Sequence, residues 1–453
     1  MEKTAARWMK LDNAALIYPA TMNRNWTALF RLSATLTEPV DPDILMEAQR
    51  SALKRCPSLS VRLRRGMFWF YLEQSDDAPP VQPDVGNPCV RMRLKDNGGF
   101  GLRVRYYENR IAVEFFHVLA DGTGGLAFLQ TLVAEYLKLR YGVRIPRSSR
   151  ILDCAEPPKP AEFEDSFFKY SGSYSQSRRE AKAYHISGTD EMEGFIHITT
   201  GTVPVYQVME AAQKKRVSVT EYLTAVMILS VDAIQRRRVL NRKWYRPVKI
   251  CVPVNLRKFF PSVTLRNFAN YVNPGIDPRL GAYTFDEVLN IVHHFMAMEA
   301  TKKLLNTKVT TNVRTQTNPV LRVMPLFVKN AAMKLVYSQV GDAVSSTCLS
   351  NLGIATLPDE MARYVTRMDF ILGPLAENRV CAAALTYQGQ LRISFTRTIE
   401  EPVLEKEFFT RLVRLGLHVL VESNRSASGG ERDGAAERPE RDFSGDAAGR
   451  RNV

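Results

Sequence analysis

Apolar residues run through this chain in short blocks separated by polar residues. Ile111 to Phe116 is β-branched and aromatic and reads as a mostly buried strand. Beyond it Leu126, Leu129, Val133 and Leu137 recur at helical spacing, with Leu132 and Tyr136 beside them, so the pattern predicts a helix with one apolar face. Between the two lies a tight loop containing Asp121, Gly122, Gly124 and Gly125. Upstream, Trp8 to Tyr18 is a mixed start and Asn25 to Leu36 alternates like a strand. Asp41-Pro-Asp opens a helix through Lys54, with Asp41 suited to capping and Pro42 to the first turn. Strands are expected at Val61–Leu63, Phe68–Leu72, Arg91–Leu94 and Gly101–Tyr107.

From Arg144 to Glu180 the periodicity disappears. Pro146, Pro157, Pro158 and Pro160 and several Ser and Tyr residues mark a long surface crossover. The pattern resumes with a strand at Phe195–Thr200, helices at Thr202–Lys215 and Thr220–Arg238, and a buried strand at Val248–Val254. Helices are expected at Phe285–Leu305 and Val320–Gln339. Strands follow at Asp359–Phe370, Val380–Tyr387 and Leu391–Arg397, and Glu405–Glu422 reads as a closing helix. After Asn424 no apolar periodicity remains, and disorder is expected. The divisions drawn from this are an N-terminal subdomain at 1–143, a crossover at 144–183, a C-terminal subdomain at 184–424 and a tail at 425–453.

Composition supports two cores: 453 residues exceed one ordinary domain, and 45% are hydrophobic against 24% charged. The net charge is +15, and the tail holds six basic and six acidic residues, so the excess sits in the body. A basic body favours anionic ligands such as CoA phosphates, anionic lipid, nucleic acid or an acidic carrier protein. No recognised nucleic-acid module accompanies the charge, and nucleic acid is not expected as a partner. The six cysteines are scattered without zinc or redox spacing and read as reduced, small apolar residues. The N-terminal residues lack the apolar region of a signal peptide, and no apolar run is long enough for a transmembrane segment, so a cytoplasmic monomer is expected.

His117 stands where the Ile111–Phe116 strand ends. A strand end fixes its backbone and the glycine-rich loop leaves room for a ligand, which suits a general base. The other histidines form no cluster; His293 and His294 point about 100° apart on a helix and make no shared metal site. Arg236-Arg237-Arg238 reads as the solvated C-terminal end of a helix, where cations offset the dipole, with CoA phosphates as the competing partner.

His117-Val-Leu-Ala-Asp121-Gly122 is a His-x-x-x-Asp-Gly motif. With its strand, loop and helix it resembles the chloramphenicol acetyltransferase-like superfamily, which includes condensation domains and alcohol acyltransferases. Two further stretches extend the resemblance. Pro253-Val-Asn255-Leu-Arg257, with Asn267 and Asn270 downstream, is similar to a segment of the second half of these enzymes; Ser350-Asn351-Leu-Gly353, followed by Asp369-Phe370-Ile-Leu-Gly373-Pro374, is similar to their late motifs. Ile371 and Leu372 replace the Gly-Trp of the plant branch and argue against that branch.

The resemblance implies an α+β (α/β sandwich) fold: two similar domains, each a mostly antiparallel or mixed sheet with helices, facing each other across a tunnel. It implies acyl transfer from an acyl-CoA or carrier-bound phosphopantetheine thioester to a small-molecule alcohol or amine, with no bound cofactor or metal. His117 would be the general base. Asp121 would be structural and pair with Arg257, and Gly122 would let the backbone pass close to the ligand. Ser350 and Asn351 are candidates for an oxyanion hydrogen bond or the tunnel wall. A catalytically silent binding or regulatory protein on the same fold is the alternative, which intact His117 and Asp121 speak against.

Overall fold

The computed structural model describes residues 8–21, 27–84, 86–175, 180–192, 194–375 and 377–424. The expected tail at 425–453 lies outside them, as do Met1–Arg7.

The first sheet runs in the order Val365–Leu372, Leu29–Leu36, Arg110–Phe116, Leu102–Tyr107, Val81–Pro83, antiparallel except for the last pair. Alternation puts Leu32 opposite Val113 and Phe370 opposite Leu32. Their side chains enter one buried core with Phe115 of the sheet and with Phe128, Leu129 and Leu132 from the helices that cover it. Those helices are Pro42–Arg55 and Gly122–Tyr141. Asp41 caps the first as expected, accepting from the amides of Asp43 and Ile44.

The second sheet runs Ala269–Val272, Val248–Asn255, Thr347–Ile354, Val380–Tyr387, Gln390–Arg397, His197–Pro204, Leu420–Ser423, with Gly275–Ile276 also on Val248–Asn255. Thr347–Ile354 is parallel to both its neighbours. Helices Val219–Arg238, Phe285–Glu299 and Val403–Arg414 carry its second core, which includes Val226, Leu289 and Phe408. Ser218 and Glu221 form a capping box that starts the first of these. A small hairpin sheet joins Trp8–Lys10, Phe70–Gln74 and Val61–Arg65. The result is the expected α+β layout: two sheet-and-helix units that face each other.

Several elements differ from expectation. Val365–Leu372, placed by sequence within 184–424, completes the N-terminal sheet, because its apolar side chains Met368 and Phe370 have their partners in that core. Asp359–Ala362, just before it, is helical. The helix expected at Phe285–Leu305 breaks at Ala300, and Thr301 caps a new one, Lys302–Thr317. The next divides into Pro319–Val323 and Leu326–Val340 around Pro325, which has no N–H to give. The closing helix stops at Arg414; Gly416 takes φ +86° and the chain returns as the edge strand Leu420–Ser423. Arg91–Leu94 forms no strand, and a 3₁₀ turn occupies Leu94–Asn97.

The crossover is more than a surface linker. Glu162 forms a buried ion pair with Arg55. Phe167 is fully buried edge-on to Phe268, 5.4 Å between centroids, in a third core with Leu256, Phe260 and Leu305. Proline-rich sequence hid an element that packs in the seam between the two units.

Candidate active site

His117 follows the strand Arg110–Phe116, and its amide donates to Ala28 O at 2.9 Å, so the neighbouring strand fixes its backbone. Its ring stacks on Tyr18 (4.8 Å, 22°) and meets the edge of Phe30 at 5.2 Å. Tyr18 comes from the short helix Ile17–Thr21. These two rings leave the half-buried imidazole little rotational freedom.

The polar partner of His117 comes from the other unit. Nδ1 lies 2.9 Å from Asn267 Oδ1. The amide nitrogen of Asn267 donates to His117 O at 2.9 Å and to Asp12 Oδ2 at 3.1 Å. Both of those groups only accept, so the amide is oriented with its oxygen toward the imidazole. A carbonyl oxygen cannot donate; Nδ1 therefore carries the hydrogen and Nε2 keeps a free lone pair. Burial holds the imidazole below its ordinary 6.5, against the opposing pull of Asp121, the Asn267 bond and Asp12. The ring is thus neutral near pH 7 and basic at Nε2.

Asp121 caps the Gly122–Tyr141 helix. Its Oδ1 accepts from Gly124 N at 3.0 Å. Its Oδ2 accepts from Arg257 Nη1 at 2.7 Å and from Phe268 N at 2.8 Å. The contact expected between Asp121 and Arg257 is present, and both side chains are largely buried. Arg257 also donates to Thr264 O and Arg266 O, which fixes the 264–268 loop that presents Asn267. Asn255 accepts from Arg257 N and donates to Thr123 Oγ1 at 3.2 Å. The two motifs therefore lock together across the seam.

The glycines expected in a loop form the first turn of the Gly122–Tyr141 helix, and they serve this close approach. A Cβ on Gly124 would lie 1.9 Å from Leu265 O, and one on Gly122 would lie 2.6 Å from Leu352 Cδ2. Gly122, expected to clear space for a ligand, is here packed against a side chain of the other unit.

Leu352 and Ser350 lie on the strand Thr347–Ile354, two residues apart, while Leu349 enters the second core on the opposite face. Ser350 pairs with Ala383, which enters the first core, so Ser350 is on the strand face turned toward that core. Asn351 points the other way: its nitrogen donates to Thr220 Oγ1 at 3.1 Å and its oxygen accepts from Gly353 N at 2.9 Å. In this orientation Asn351 braces the Thr220 helix start.

Other candidates are spread out. Arg236 donates to Asp232 and Gly281 O, Arg237 to Glu407 and Arg238 to Ser187 O, so this run is tied into the second unit. His293 pairs with Glu221 at 3.0 Å. Among the described residues no group of three His, Cys, Asp or Glu is placed to hold a metal ion. No single described helix is long and apolar enough to cross a membrane.

Neither a protein-family model nor a curated protein sequence matches the chain. Solved structures do match its fold. Polyketide synthase associated protein 5 from Mycobacterium tuberculosis is 16% identical and superposes with a TM-score of 0.60 over 89% of this chain and 96% of its own. TRI101 of F. sporotrichioides, solved with coenzyme A and T-2, is 12% identical with a TM-score of 0.60 over 91% and 99%. The first condensation domain of the CDA synthetase is 15% identical with a TM-score of 0.56 over 91% and 97%. The chain shares the fold of these solved structures. At these identities the likeness carries the fold alone, so the chemistry has to be read from the residues on either side of His117.

Sequence reading located His117, Asp121, Gly122 and Arg257, and the structure brings these four together. It passed over Tyr18 and Asp12, which reach the site from the N-terminal segment. Asn267 was noted as part of a motif and given no role. Its only signal was that motif's place downstream of Arg257.

Proposed function

We propose that this protein is an acyltransferase that moves an acyl group from a CoA or phosphopantetheine thioester to the hydroxyl or amine of a small molecule. The observation that supports it most directly is the oriented His117: Nδ1 is occupied by Asn267 and Nε2 is free, at the seam between the two units. As the acceptor oxygen or nitrogen attacks the thioester carbonyl, Nε2 takes its proton. The new C–O or C–N bond forms and the carbonyl becomes a tetrahedral oxyanion. Collapse breaks the C–S bond, and the departing sulfur takes the proton back from Nε2. Asn267 and the carboxylate of Asp12 behind it stabilise the imidazolium that exists between these steps. Ser350 is the side chain we assign to the oxyanion.

The donor is a soluble thioester and not a resident cofactor. The net charge of +15 favours an anionic donor, whether CoA or an acidic carrier protein. The test is incubation with a panel of acyl-CoAs and alcohols or amines, following free thiol and acylated product. Acceptor-dependent thiol release supports the reading. No release with any pair, CoA or carrier-bound, contradicts it.

A further inference from the structure

The helix Leu326–Val340 carries apolar side chains on its exposed side as well as on the side that packs. Its inner face seats Leu326 and packs against Ile17–Thr21. Lys329 lies under the surface, 3.3 Å from the centre of the Trp69 ring, and donates to Phe68 O at 3.0 Å. Leu326 N donates to Met67 O at 3.0 Å, which fastens the helix start to the tip of the Val61–Gln74 hairpin. Its outer face carries Phe327, Ala331 and Leu335 at intervals of four, with Val328 and Ala332 beside them, and all five are exposed.

Exposure here is large for side chains of this size: Phe327 is 68%, Leu335 63%, Val323 72% and Met67 73% accessible. Isolated exposed apolar residues need no explanation, but one stripe continued onto a hairpin tip does. The stretch of sequence that carries the stripe is basic. Residues 300–341 contain seven lysines and arginines and no aspartate or glutamate. Arg322 and Lys334 are exposed at the edges of the stripe, and Arg65 is exposed on the adjoining hairpin, where Arg64 pairs with Glu73.

We propose that this face seats on an anionic lipid surface. Apolar side chains enter the headgroup region while the flanking cations pair with anionic headgroups. A second copy of the chain is a poor occupant, because a two-fold contact would bring Arg322 and Lys334 of both copies together. The contact is peripheral, and it does not depend on the acyl-transfer reading.

The test is co-sedimentation of the full chain with vesicles of phosphatidylcholine alone and with about 30% phosphatidylglycerol. The expected result is binding to the anionic vesicles, weakened on raising salt from about 0.05 M to about 0.5 M. Phe327→Ser with Leu335→Ser should lower it about tenfold with an unchanged melting temperature. Leu240→Ser, at an apolar residue 97% exposed on the second unit, should leave it as in the wild type. Three results overturn the proposal: no binding to anionic vesicles, double-variant binding equal to wild type, or a concentration-dependent dimer in the wild type that the double variant loses. If the double variant melts early, Arg322→Glu with Lys334→Glu replaces it, with the same loss expected and undiminished binding counting against the proposal.

Discussion

Arg257 Nη1 stands 2.7 Å from Asp121 Oδ2, across 136 positions of sequence and across the seam between the two units. The carboxylate is also the cap of the helix that follows His117, and the guanidinium also fixes the loop that carries Asn267. One ion pair therefore sets the distance between the base and its orienting amide. Asp121→Ala and Arg257→Ala should each cost roughly 3–5 kcal/mol, since each leaves a buried charge without its partner. The double variant should lose much less than the sum, because both changes break the same contact. Chemical denaturation of the three variants measures this coupling, and additive losses would show that the pair does not act as a unit.

Asn267 gives a second test. Asn267→Ala should fold and should lower kcat about tenfold to a hundredfold, a part of the roughly 10²–10⁴ that general-base catalysis supplies. The acidic limb of the pH–rate profile in the wild type should lie below 6.5, as burial lowers the imidazole. Asn267→Asp should move that limb upward, because a carboxylate at Nδ1 favours the charged ring. A limb that stays put in the aspartate variant would mean that Asn267 does not contact the titrating group.

Asp165 supplies a pH-dependent stability. Burial, with Asp12 nearby, pushes its carboxyl from 3.8 up to about 7. A raised folded value means that the native state holds a proton the unfolded chain releases, so its stability contribution is full below 3.8 and is lost as pH rises through about 7. Asp165→Asn removes this loss and can still accept from Phe167 N as a cap. Its melting temperature relative to wild type should climb between pH 4 and pH 8; a difference independent of pH would contradict the assignment.

The seam leaves no room at Gly124. Gly124→Ala should cost about 1–3 kcal/mol by pushing the helix start from Leu265, as overpacking does. Gly125 is a useful comparison, since its added methyl would meet the rings of Phe30 and Phe115, which are side chains and can shift. A Gly124→Ala variant as stable as wild type, by thermal melting, would show that the two units have slack between them.

These residues also show what the sequence could and could not reveal. His117, Asp121 and Arg257 were legible because a spaced motif ties each to a local element: strand end, helix cap and strand exit. The helix and strand periods of the two units were legible for the same reason. Tyr18, Asp12 and Asn267 were not, because their roles arise only when an N-terminal segment and a loop of the second unit converge on one ring. Val365–Leu372 has the pattern of a strand, but periodicity does not say which sheet it joins. The breaks at Ala300 and Pro325 fell inside continuous apolar periods. The face of Asn351 was not legible, because a strand's alternation decides it and the motif alone does not.

The central claim is that His117 is the base for transfer from a thioester. Once a donor and acceptor pair is found, turnover of His117→Ala against wild type tests it most directly. The account predicts a fall of roughly 10²–10⁴ with the circular dichroism spectrum unchanged. A folded variant that releases thiol and forms product at close to the wild-type rate would contradict it.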